Sequence, residues 1–84
     1  MTPSRRPDRC IHWKDAFALL ESGQPCDLRL WKLTTGEILV YRGVTCAGTH
    51  WRGGTHLVKF PHSHVWRRFR DITLFEINGY EIIR

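Results

Sequence analysis

The sequence predicts an α+β domain: one N-terminal helix packed on a curved antiparallel sheet of about five strands, which a strong curl would turn into a small SH3-like open barrel. Three observations carry this expectation. An apolar stripe at helical spacing occupies residues 13–20. From residue 27 onward β-branched and aromatic residues take over. That second region is cut by turn signals, of which Asn78-Gly79 is the strongest.

The helix is "IHWKDAFALLESG", with Trp13, Ala16, Phe17 and Leu20 on one face. Asp15 falls in the first turn, where the helix dipole favours an anion. Gly23 suits the position just past the helix, and Pro25 prevents its continuation. Core packing is the simplest use of this stripe.

Next come "DLRLWKL", "TTG" and "EILVYR", a hairpin turning near Gly36. A two-residue loop would set Trp31 opposite Val40, and a three-residue loop with a bulge would set it opposite Leu39. Large apolar groups on both faces suggest a sheet covered on both sides. Val44 and Cys46 suit a short strand, and residues 47–54 suit a glycine-bracketed loop whose tip carries His50, Trp51 and Arg52. "THLVKF" and "VWRRFR" flank "PHSH". With no glycine at His62-Ser63, a four-residue turn is expected. It sets Phe60 opposite Val65, Val58 opposite Arg67 and His56 opposite Phe69. The other face then receives Lys59 with Trp66, Leu57 with Arg68, and Thr55 with Arg70. The last hairpin, around Asn78-Gly79, sets Ile77 opposite Tyr80, Phe75 opposite Ile82 and Glu76 opposite Glu81. Two facing carboxylates need a cation beside them, and an arginine is the natural source.

"GTHLVKFPHSHVWRRFRDITLFEINGYEII", together with Ser22-Gly23 and Thr35-Gly36-Glu37, resembles a group of short uncharacterised helix-plus-sheet proteins of Bacteroidales-type genomes and mobile elements. The matching features are the helix ending in Ser-Gly, the Gly-Glu turn, Gly54-Thr55, and Leu74-Phe75 leading to Asn78-Gly79. The chain departs from that pattern in Glu76-Ile77 and in its histidine-rich turn. The resemblance implies a small helix-plus-sheet fold and carries over no catalytic residue.

Eighty-four residues make a single domain, expected over 11–84, with 1–10 a basic arm. Thirteen basic residues, ten of them Arg, stand against eight acidic ones. Arginine forks onto phosphate or carboxylate and stacks on flat rings. Three cysteines without a CxxC pair, and no apolar leader or membrane span, lead us to expect a reduced, cytoplasmic chain with no membrane partner.

Residue types for four functions are present in the chain. Zinc wants four N/S ligands, usually in two close pairs, but the β region offers only His62-x-His64. His56 is expected in the core beside Phe69. Cys10-x-His12 and Cys26 lie about a helix rather than around a point. A nuclease would need base, acid and cations in one pocket; His50, His62, His64 and Arg67 supply the types without a motif to join them. A basic strand face with a flat ring between cations is the layout of single-strand platforms, in which bases stack and arginine meets phosphate. Lys59, Trp66, Arg68 and Arg70 form such a face, with Trp51 and Arg52 at its rim. Arginine and tryptophan also characterise protein interfaces. The expectation is a non-enzymatic binding protein without cofactor or metal. Its partner is nucleic acid, single strands included, ahead of an acidic or peptide protein partner; a small nuclease or metal-binding protein ranks below both.

Overall fold

The structure is a computed structural model and describes residues 9–50 and 52–84, at position 50 the backbone alone. Helix α1 (Trp13–Glu21) lies on one face of a sheet of seven strands: β1 (Cys10–His12), β2 (Cys26–Trp31), β3 (Ile38–His50), β4 (Thr55–Lys59), β5 (Trp66–Arg70), β6 (Leu74–Ile77) and β7 (Tyr80–Ile83). Their spatial order is β1-β7-β6-β2-β3-β4-β5. Neighbours are antiparallel except β1, which runs parallel to β7. The α+β architecture is as expected. The strand count of about five and the SH3-like barrel are not, because β1 and β5 end at opposite edges and never pair.

Helix α1 starts at Trp13 rather than Ile11. The ring of His12 caps it by accepting from the Lys14 amide at 3.2 Å, while Ile11 stays extended in β1. Ala16, Phe17 and Leu20 enter the core with Leu28, Val44, Val58, Phe69, Leu74 and Ile77. Ser22 closes the helix, its amide bonding back to Leu19, and Gly23 follows at φ +88°.

In the β2–β3 hairpin Trp31 faces Ile38, so both expected registers are overturned. The Gly36 amide donates to Lys32 O at 2.7 Å with φ +78°, and the Lys32 amide donates to Glu37 O at 2.8 Å. This α-turn lengthens the loop beyond the two or three residues expected. The expectation of cover on both faces also fails. Trp31, Ile38 and Val40 are 44%, 45% and 45% exposed, because among the described residues α1 is the only layer on the sheet and it lies against the opposite face.

Strand β3 has 13 residues and pairs with β2 along its first half and β4 along its second. Residues 47–50, expected in a loop, are therefore strand. Two bulges interrupt it, between Tyr41 and Val44 and between Cys46 and Gly48. Each reverses which residues point outward. Ile38 and Val40 face out, Val44 and Cys46 face in, and Gly48 faces out again opposite Leu57.

At the first bulge Gly43 adopts φ +65°, and its amide donates to Asp27 Oδ1 at 2.8 Å. The Asp27 amide donates to Asn78 Oδ1, and the Asn78 amide to Asp27 O, both at 2.8 Å. Asp27 thus ties the β3 bulge to the Asn78-Gly79 turn, where both residues have positive φ. In that hairpin Ile77 faces Tyr80 and Glu76 faces Glu81, as expected, and Arg29 supplies the cation at 3.8 Å from Glu76. Replacing Asp27 by Ala removes a charge-assisted bond at an exposed site and should cost about 1 kcal/mol. An unchanged urea midpoint in this variant would show that the tie contributes nothing.

Candidate functional site

Across β3, β4 and β5 the outer face is a grid of three rows. Thr45, Lys59 and Trp66 form one row; Gly48, Leu57 and Arg68 the next; position 50, Thr55 and Arg70 the last. The β4–β5 register agrees at every expected pair, including the bond from the Phe60 amide to Val65 O at 3.1 Å. Because α1 covers the opposite face, Trp66 remains 50% exposed, and Lys59, Arg68 and Arg70 are exposed beside it. None of these three cations makes an ion pair with a described carboxylate. A shallow depression of ≈ 350 Å³ lies between Gly48, Thr49, Thr55, Leu57 and Arg68. Arg52 is exposed in the turn that leads into β4. Trp51 lies outside the described residues.

Charge is unevenly spread over the outer face. On the β2–β6–β7 half Asp27, Glu76 and Glu81 are mixed with cations: Arg29 against Glu76, Arg42 beside them and Arg9 over the Tyr80 ring. The β4–β5 half carries the exposed Lys59, Arg68 and Arg70. Arg67 points to the inner face, as its register requires, but lies beyond the cover of α1 and is exposed; its charge reaches the Tyr41 hydroxyl.

Directly behind the basic face lies His56, 2% exposed. Its Nδ1 meets Asp71 Oδ1 at 2.5 Å and its Nε2 meets Glu21 Oε2 at 2.7 Å. The ring is stacked between Phe17 (centroids 4.9 Å apart) and Phe69 (6.0 Å). Each ring nitrogen thus has a carboxylate oxygen as its hydrogen-bond partner. Glu21 ends α1, and Asp71 opens the 3-10 turn Asp71–Thr73 between β5 and β6. The Asp71 amide donates to Gly54 O at 2.8 Å, and Arg84 donates to Asp71 O at 2.9 Å. The sequence places His56 inside beside Phe69 and leaves its carboxylates unidentified. They stand 35 and 15 residues away along the chain. Their signal was an acid at the end of the helix and another directly after a strand.

His62 and His64 sit exposed in the β4–β5 turn, well apart from the buried His56. Among the described residues no group of three or more His, Cys, Asp or Glu side chains is placed to hold a metal ion. No described helix is long and apolar enough to cross a membrane. No family model matches the chain, and no curated protein or solved structure shows significant similarity to it.

Burial pushes the Cys26 thiol above its ordinary value of 9.0, against a hydrogen bond from the Asn78 side chain and with help from the charge of Asp27. Burial likewise raises Cys46, opposed by its bond to the Gly48 backbone and reinforced by Glu21. Tyr41 is raised from 10.0 by burial, partly countered by Arg67.

Two predictions follow from this inner layer. Replacing His56 by Leu leaves two partly buried carboxylates facing apolar surface and should lower stability by about 2–4 kcal/mol in a urea titration; adding Glu21→Gln and Asp71→Asn should recover part of it. A single variant as stable as the parent would show that the ion cluster holds nothing. For Cys26, Cys46 and Tyr41 the folded value lies above the unfolded one, so above pH of about 9 the unfolded chain ionises first. Stability should therefore be flat just below that pH and fall as it rises through the folded values, and the decline should shrink in a Cys26→Ala, Cys46→Ala variant.

Proposed function

We propose that the chain is a non-enzymatic, cytoplasmic protein that binds single-stranded nucleic acid on the outer face of β3, β4 and β5. The observation that carries this reading is Trp66, half-exposed on an open sheet face in one row with Lys59 and next to Arg68, neither cation in an ion pair with a described carboxylate. An exposed indole on a flat face offers a stacking surface to a base, and the cations around it meet the phosphates. A duplex hides the faces of its bases, so a stacking ring favours the single strand. Arg70 extends the cationic row along β5, and Arg52 stands at the β3–β4 turn, with Trp51 adjoining it in sequence. An acidic protein partner would meet the same cations and could also anchor on the exposed indole, so the two partners are separated by the experiment below.

A fluorescent single-stranded oligonucleotide titrated at several salt concentrations tests the reading. Affinity should fall with salt, and replacing Lys59 or Arg70 by Gln should each reduce the log–log slope by about 0.7. Trp66→Ala should weaken binding by about 1–3 kcal/mol while leaving the thermal melt near that of the parent. Absence of binding at low salt, or binding indifferent to salt, overturns the proposal. Capture of an acidic protein that survives nuclease treatment, without oligonucleotide binding, would turn the same face over to a protein partner.

A further inference from the structure

Gly48 is the one position in the basic grid without a side chain; it stands where the second bulge of β3 ends, a place that tolerates glycine without requiring it. Turn glycines such as Gly36 and Gly79 have positive φ, which Gly48 does not share. Nothing lies within 4 Å of the place its Cβ would occupy. Neither strain nor crowding calls for glycine here, and glycine inside a strand weakens it. What the missing side chain leaves is space: the ≈ 350 Å³ notch over Leu57, with Thr55 on one side and Arg68 across the row.

Resting on the nucleic-acid reading above, we infer that this notch seats one unstacked base beside the base on Trp66, and that it selects guanine. The row containing Arg68 is two residues from the row containing Trp66, a separation of roughly 6.6 Å along the strand. That is about twice the stacked base rise of 3.4 Å, a step that two neighbouring, unstacked nucleotides span. Leu57 provides an apolar floor for a ring face. Arg68 is exposed and carries donors only, in a planar fork. Guanine presents two adjacent acceptors, O6 and N7, that accept both arms of such a fork. Adenine and cytosine place an amino donor on the corresponding edge, and thymine offers a single acceptor there.

The experiment uses the full chain and fluorescein-labelled oligothymidylate of eight nucleotides, alone and with one central guanine, adenine or cytosine. In the parent the guanine oligonucleotide should bind about tenfold more tightly than the others. Gly48→Val suits a strand and fills the notch; it should abolish that preference while still binding oligothymidylate. Arg68→Lys keeps the charge but loses the fork, and should abolish the preference too. Should Gly48→Val lower the thermal melt, Arg68→Lys carries the test by itself. A parent without guanine preference, or a preference that survives in Arg68→Lys, overturns the inference and leaves the nucleic-acid reading standing. Failure of every oligonucleotide to bind at low salt overturns both.

Discussion

The clasp on His56 is the constraint around which this small fold is organised. A nine-residue helix is too short to be stable in isolation and depends on what it packs against. Its last residue, Glu21, is held to the sheet through a buried imidazole whose other nitrogen holds Asp71, where β5 turns toward β6. Phe17 and Phe69 stack on the two faces of that ring and shield it from water. Removing any one member leaves the others without their partners in a partly buried site, so the cluster ties the end of α1 to β4 and to the turn after β5. The single helix then leaves the other face uncovered, and the tryptophan and arginines on it become available.

The two faces of β4 and β5 therefore have separate tasks. His56, Val58 and Phe69 point inward and build the core; Leu57, Lys59, Trp66, Arg68 and Arg70 point outward. A strand alternates its side chains by geometry alone, so a shift of one residue would bury the cations and expose the histidine. Register at this one hairpin is what separates a folded chain from an unfoldable one, and the "PHSH" turn, with Phe60 bonded to Val65, sets it.

That hairpin was legible because its turn lacks glycine and the alternatives converge on one pairing. The Asn78-Gly79 hairpin was legible because both turn residues accept positive φ. The β2–β3 hairpin was not, since a glycine in the left-handed region closes a bulged loop and an α-turn equally well, and the amide of Gly36 decides between them through Lys32. Strand β1 escaped notice because three residues carry no periodicity, and it exists only where β7 supplies a parallel edge. The continuity of β3 was masked by its two bulges, each of which resets the alternation a reader counts. Of the candidate site, Gly48 and position 50 of the β3 column were expected in a loop, whereas the β4–β5 part of the basic grid followed from register alone. The notch did not, because an interior glycine in a strand reads first as a break.

Strand β3 also determines how the molecule can come apart. It is the only connection between the β1-β7-β6-β2 portion of the sheet and the β4-β5 hairpin in the hydrogen-bonded order, and it is a member of both ladders. The His56 clasp adds a second bond across the same division, from α1 to β4. The hairpin that bears the exposed indole is thus not an appendage that opens independently but part of one cooperative unit. Any ligand seated on it acts thermodynamically on the whole chain: occupancy raises the unfolding free energy by RT ln(1 + [L]/Kd), and an increase in the global melting temperature reports an event confined to two short strands.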